Sequence, residues 1–236
     1  KYGELNRAVL TSNINVVDVV LKYDSSPGFI NTNMSNGTPL SIAANKSCTA
    51  IVKRLLSIPG INPSLYTNAN VTPLIISFQK DNAEMAKDIL DFYGDNIKSQ
   101  VWQLNKSLHI FLREAKIKWN TNQIKEQNNN LNKNVNNVLS QVYEYKKWLP
   151  IIIRILNVEN VDYNSFSESF TLLSFACSLN EIEIVDILLN SNKVDPNLYG
   201  SGNGDTALIK AIQNKNIEIA KRLIEYPQTD INLCNF

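Results

Sequence analysis

The side chains able to do chemistry are few and scattered. His109 is the one histidine, and Cys48, Cys177 and Cys234 are an odd number of thiols with no short spacing between them. A metal site needs His, Cys or carboxylate ligands clustered at short spacing, which this set does not supply. Glu181, Glu183 and Asp186 lie close together, but on a helix they read as a solvated face. Gly200-Ser201-Gly202-Asn203-Gly204 precedes a helix start and superficially suggests a phosphate cradle. It lacks the Lys-Ser/Thr of a nucleotide-binding loop, its glycine spacing is wrong for a dinucleotide fingerprint, and no strand precedes it. A glycine-rich hairpin fits it better. Spacing alone leaves a Ser-His-Asp arrangement open. Taken together, these residues predict no catalytic group, no metal and no cofactor.

Charge is more informative in its distribution than in its sum of +1. Between Lys98 and Trp148 nine basic residues stand against three acidic ones, while the rest of the chain is acidic. The same block holds Trp102, Trp119 and Trp148, the only tryptophans. Basic residues interleaved with aromatics grip an acidic protein surface or single-stranded nucleic acid. The simpler reading, which the composition favours, has the tryptophans filling gaps in a core and the lysines solvating its outside, with nucleic acid as the weaker alternative.

The elements that position these groups are repeats. Thr171-Leu172-Leu173-Ser174-Phe175-Ala176-Cys177 is followed by Ile182-Glu183-Ile184-Val185-Asp186-Ile187-Leu188-Leu189 and closed by Val194-Asp195-Pro196-Asn197. Thr206-Ala207-Leu208-Ile209-Lys210-Ala211-Ile212 then opens a second copy 35 residues after Thr171, closing at Thr229-Asp230-Ile231-Asn232. Thr38-Pro39-Leu40-Ser41-Ile42-Ala43-Ala44 with Ile51-Val52-Lys53-Arg54-Leu55-Leu56, and Thr72-Pro73-Leu74-Ile75-Ile76, repeat the pattern 34 residues apart. Such periods mark stacked supersecondary units. Each unit holds two short amphipathic helices, too short to be stable alone, so each must bury its apolar face against a neighbour.

The units resemble ankyrin repeats, whose pattern runs Gly-x-Thr-Pro-Leu-His-x-Ala-Ala, then Ile-Val-x-x-Leu-Leu, then Gly-Ala-Asp-Val-Asn. The resemblance implies an all-α, ankyrin-type α-solenoid of helix-turn-helix repeats with hairpin-like loops. Between Thr72 and Thr171 lie 99 residues, three periods of 33, so the register predicts units over 1–33, 34–66, 67–99, 100–133, 134–166, 167–199 and 200–236. In that register Lys106-Ser107-Leu108-His109 begins the fourth unit. His109 then takes the family's structural histidine position, where it bonds a neighbouring loop. Pro150 falls in the first turn of a second helix, where it is tolerated. The Asn-rich stretch 120–137 reads as a degenerate segment or loop.

By the same resemblance the chain is a non-catalytic protein-interaction scaffold. Contacts are expected from loop tips and the exposed side of each first helix. These are Asn36, then Asn70, Val71, Gln79 and Lys80, then Phe170, Ser178 and Leu179, then Asp205, Gln213 and Asn214, with exposed Phe170 and Leu179 as anchors. A second expectation is a structural part of a larger assembly, in which neighbouring subunits cover apolar array ends at Val9 and Val16 and at Ile219 and Leu223. Sparse cysteines fit a reducing, cytoplasmic setting, and no apolar run approaches a membrane span. The chain begins at Lys1, inside the pattern and without an initiator methionine, and so reads as cut from a longer repeat protein.

Overall fold

Four helices of this chain start on threonine. Thr38, Thr72, Thr171 and Thr206 sit in extended backbone. Each accepts, through Oγ1, the amide three residues on: Ser41 at 3.2 Å, Ile75 at 3.4 Å, Ser174 at 3.0 Å and Ile209 at 3.4 Å. Every such bond satisfies an amide the helix itself leaves orphaned, contributing about 1 kcal/mol. Pro39 and Pro73 follow in the first turn, where no amide is needed. At Thr171 the cap is reciprocal, because its own amide donates to Ser174 Oγ at 2.9 Å.

The computed structural model describes residues 3–127, 145–164, 170–199 and 205–233, with the backbone alone for 115–127. The chain divides into two compact units, Lys1–Gln103 and Leu104–Phe236. The first contains α1 (Glu4–Leu10), α2 (Ile14–Tyr23), the single turn α3 (Pro27–Ile30), α4 (Pro39–Asn45), α5 (Thr49–Leu56), α6 (Pro73–Gln79), α7 (Ala83–Tyr93) and a 3₁₀ segment, Gly94–Gln100. Helices α1, α4 and α6 pack in one layer, and α2, α5 and α7 in a second behind it. Leu5, Val9, Val17, Leu40, Ala43, Ala44, Val52, Leu55, Leu74, Ile75, Met85 and Ile89 fill the space between. Each fully buried Leu or Ile contributes about 1.5–3 kcal/mol over an exposed one.

The second unit is built from most of α8 (Val101–Gln127), then α9 (Leu149–Leu156), α10 (Leu172–Leu179), α11 (Ile182–Asn190), α12 (Ala207–Gln213) and α13 (Ile217–Glu225). Helices α10 and α12 pack side by side, as do α9 and α11. Pro150 lies in the first turn of α9. The only β pairing among the described residues is the isolated bridge Met34–Gly37.

Two devices recur. One left-handed residue turns each first helix into its second: Ser12, Ser47, Asp81, Asn180 and Lys215, with φ of 57°, 56°, 52°, 58° and 59°. The other is an asparagine that joins one closing loop to the next. Asn31 donates to Gly60 O at 2.8 Å and accepts from Asn62 N at 2.8 Å. Asn164 does the same with Lys193 O at 3.1 Å and Asp195 N at 2.7 Å, and Asn197 with Gln228 O and Asp230 N, both at 2.8 Å. Where Ser64 replaces this asparagine, its hydroxyl instead donates to Gln100 at 3.0 Å and meets Tyr93 OH at 3.3 Å.

Two expectations differ from the structure. Lys106 does not begin a helix: Val101–Gln127 is one helix of 27 residues, with Ser107 and Leu108 buried inside it and His109 exposed. No glycine or proline lies between 101 and 127 to break the helix, and the Thr-Pro start is missing there. The Asn-rich segment is helical over 120–127 and lies outside the described residues beyond that. The apolar ends also differ. Val9, Ile219 and Leu223 face inward and are fully buried, so of the four residues expected at the surface only Val16 is exposed.

Candidate protein-binding surface

In the first unit the loop before α4 is a tight hairpin in which Met34 and Gly37 exchange backbone bonds at 3.2 and 2.8 Å. Gly37 has φ +99°, and a Cβ there would lie 2.4 Å from Ser41 Oγ, so only glycine fits. That turn lifts Asn36 into solvent. Asn6 fixes the loop from below, donating to Gly37 O at 2.8 Å. The loop before α6 turns the same way, with Thr67 N on Val71 O at 3.0 Å and exposed, left-handed Asn70 at its tip. Val71 is half-buried beneath it. Gln79 and Lys80 are exposed at the C-terminal end of α6, where a cation complements the helix dipole.

This edge also carries large side chains that the repeat pattern does not pick out. Tyr66 and Trp102 are 53% and 45% exposed and meet edge to face, ring centroids 5.8 Å apart. Met34 is exposed on the preceding hairpin, and Asn33 donates to Tyr66 O at 3.0 Å, tying the Met34 hairpin to the Tyr66 loop. A signal for them existed: both aromatic residues fall outside the Thr-Pro-Leu and Ile-Val-x-x-Leu-Leu stretches that build the core.

In the second unit the expected sites divide. Gln213 and Asn214 are exposed at the end of α12, while Ser178 and Leu179 are half-buried at the end of α10. Ser178 Oγ donates to Ser174 O at 2.9 Å, within its own helix. Phe170 is not an exposed anchor: it is 6% exposed, with its ring 5.8 Å from that of Phe175. Phe175 in turn meets Phe111 at 5.6 Å and Tyr145 at 5.4 Å, and Phe111 meets Trp148 at 5.9 Å. The aromatic density of the irregular middle therefore packs as a wall that covers Phe170. Trp148 fills core, Trp102 lies at the surface, and the Trp119 side chain is outside those described.

Asp205 is likewise buried, at 4% exposure, and its carboxylate accepts from Lys210 Nζ at 2.5 Å and Gln213 Nε2 at 3.3 Å. It acts from below, holding Lys210 and Gln213 in place on the outer side of α12.

Little here suits bond-making chemistry. Among the described residues no group of three His, Cys, Asp or Glu side chains converges on a point where a metal ion could sit. Cys48 and Cys177 are free, and burial pushes the Cys177 thiol up to about 12, far from the thiolate a nucleophile needs. Burial also raises the carboxyl of Glu181, which Lys146 opposes, and that of Asp88, which Lys53 opposes. Gly200–Gly204 lies outside the described residues. No helix among those described is long and apolar enough to cross a membrane.

The geometry defines a class: helix pairs stacked through capped starts, left-handed turns and asparagine-linked loops, with an exposed edge of loop tips. Residues 127–235 match the family model for ankyrin repeats, in three copies. The fold is similar to that of the ankyrin repeat protein EF0377, with a TM-score of 0.55 and 18% identity over 96% of this chain and 98% of that one. It is also similar to the ankyrin repeat domain of human ASB11, with a TM-score of 0.50 and 17% identity over 98% of this chain and 86% of that one. No curated protein matches the sequence. Residues 127–235 thus carry the ankyrin repeat pattern, and the fold is that of ankyrin repeat proteins; such repeats are generally protein-interaction modules and typically non-catalytic.

Proposed function

We propose that this chain is a non-catalytic adaptor that binds a partner protein through its loop tips and the exposed side of its first helices. Asn36, Asn70, Val71, Gln79 and Lys80 would make the contact in the first unit, and Ser178, Leu179, Gln213 and Asn214 in the second. Phe170 and Asp205 support that surface from within and are not contacts. The observation that carries the reading is the Tyr66–Trp102 pair, two large rings left half in water on the loop edge. Tyr and Trp are the residues most enriched among interface hot spots, since they bury much area for few rotatable bonds. Binding to such a preformed surface carries a modest ordering cost and no chemical step.

Seven repeats over the bounds set out above, the fourth carrying the long helix α8 in place of a helix start at Lys106, and a cytoplasmic, reducing location supported by the free thiols of Cys48 and Cys177, belong to the same proposal. The experiment is affinity capture from the native source with the unaltered chain and with a Tyr66→Ala/Trp102→Ala variant, followed by measurement of Kd for whatever is captured. A partner whose Kd rises tenfold or more in the variant supports the reading. A partner that binds both equally, or capture of nothing by either, overturns it.

A further inference from the structure

Asn36 and Gly37 together carry a reactivity that contact with a partner does not use. The side-chain amide carbon of an asparagine is open to attack by the main-chain nitrogen of the next residue, which closes a five-membered imide ring. Glycine in that next place leaves the approach clear, since no Cβ crowds it. The chain has two Asn-Gly pairs, Asn36–Gly37 and Asn203–Gly204. The first sits on the hairpin before α4, with Asn36 in solvent.

This hairpin sets the pair in water and at the same time restrains the nucleophile. Gly37 is buried, its nitrogen donates to Met34 O at 2.8 Å, and its carbonyl oxygen accepts from Met34 N at 3.2 Å and from Asn6 Nδ2 at 2.8 Å. Before it attacks, the nitrogen must give up its proton and turn toward Cγ of Asn36. Here the proton is engaged, and the same residue is pinned through its oxygen. Asn6 lies on α1 and is 5% exposed, so the pin comes from the core rather than from the loop. A surface hairpin opens locally at a lower cost than unfolding of the whole chain. Reaction therefore waits on that opening.

We infer that Asn36 is a site of spontaneous deamidation, gated by the 34–37 hairpin and locked by Asn6. When the hairpin opens, hydroxide takes the Gly37 amide proton, a bond forms from Gly37 N to Asn36 Cγ, and the bond from Cγ to Nδ2 breaks. Nδ2 leaves as ammonia with a proton from water, which restores the hydroxide. Water then opens the imide at either carbonyl, leaving aspartate or isoaspartate in place of Asn36. Overall one water is consumed and one ammonia released. Both products set a carboxylate in a stretch, 31–37, that has no charged residue. Isoaspartate also routes the main chain through the side-chain methylene, lengthening a hairpin that two backbone bonds close over four residues. Gly37 has no room to absorb the change, because even a Cβ there would lie 2.4 Å from Ser41 Oγ and 2.9 Å from Thr67 Cγ2. The isoaspartate form cannot reclose, so the step runs one way. None of this depends on the loop-edge reading.

For the test, the unaltered chain is incubated folded and in urea at mildly alkaline pH. Aspartate and isoaspartate arising from Asn36 are followed by mass spectrometry of the peptide that holds it, with Asn203 in urea calibrating the unfolded rate. In the folded chain Asn36 should react at least tenfold more slowly than in urea. Asn6→Ala, which removes a buried bond to Gly37 O, should speed the folded reaction about tenfold. Since that variant also bears on the stability of α1, a second measurement uses the unaltered chain alone. Across urea concentrations below unfolding, the rate at Asn36 should rise in proportion to hydrogen exchange at the Gly37 amide. In the purified isoaspartate form the Met34 and Gly37 amides should exchange freely. Deamidation as fast in the folded chain as in urea, a rate that does not follow Gly37 exchange, or retained protection of those two amides in the isoaspartate form would overturn the inference. So would an Asn6→Ala chain that deamidates at the unaltered rate.

Discussion

Arg222 donates from Nε to Asp186 Oδ1 at 2.7 Å across 36 residues, and Arg54 donates to Asp18 at 2.6 Å across the same interval. Each pair links consecutive second helices, α2 to α5 and α11 to α13, so the repeat period is expressed in charge as well as in apolar residues. Arg222 also takes Glu218 one turn earlier on its own helix.

Because these ion pairs are half in solvent, screening by water and salt leaves them little net weight. Asp186→Ala is expected to lower Tm slightly in low salt and not at all in about 1 M salt, where the Debye length falls to about 3 Å. Thermal melts at the two ionic strengths check this, and a loss that persists in high salt would assign Asp186 a packing role.

Loss of a loop-joining asparagine should cost more. Asn164→Ala removes the bond to Lys193 O and the acceptor for Asp195 N, and is expected to destabilise by about 1–3 kcal/mol. Asn164→Asp keeps the acceptor and should fall between. Urea unfolding of the two variants gives the order.

Left-handed residues with a Cβ are strained by about 1–2 kcal/mol relative to glycine, which loses part of that advantage to its freer unfolded chain. Lys215→Gly and Ser47→Gly should therefore stabilise by roughly 0.5–1 kcal/mol each. Asn180→Gly should change less, since asparagine tolerates this region through local hydrogen bonds. Equal effects at all three positions would count against backbone strain as the cause.

Burial raises the Asp88 and Glu181 carboxyls above their ordinary values. The folded chain then holds these protons more tightly than the unfolded one, so their contribution is fully present below the unfolded pKa of about 4 and is lost as pH rises through the raised value. Asp88→Asn and Glu181→Gln should flatten that fall and leave the chain relatively more stable at pH 7 than at pH 3. Stability measured across this range for each variant decides it, and an unchanged slope would show the carboxyls to be solvated.

Phe170 lies inside the aromatic wall, so Phe170→Ala should act on stability first, costing about 3–5 kcal/mol in the manner of buried Phe truncations. Trp102→Ala, at the surface, should cost little stability. Chemical denaturation of both, beside the binding measurement, separates support from contact.

The regular repeats were legible because their instructions are local. Thr171 caps its own helix within three residues, a period of about 34 places Leu55 and Leu188 inward, and the Asp-x-Asn turns at Asp162, Asp195 and Asp230 close the later units by bonding their own backbone, as Asn197 N does to Asp195 Oδ1 at 2.9 Å. The sequence by itself thus determined the fold class, the helix pairing and the tips at Asn36 and Asn70. Tertiary structure alone decided what depends on neighbours distant in the chain. Phe170 is covered because Phe175, itself packed on Phe111 and Tyr145, meets it, and Asp205 is sealed under Lys210 and Gln213. Tyr66 and Trp102 meet across 36 residues, and Ile212 is exposed where the equivalent Cys177 is buried. Hydrophobic burial has no direction along the chain, so which equivalent residue ends in water is settled only when the helices have packed.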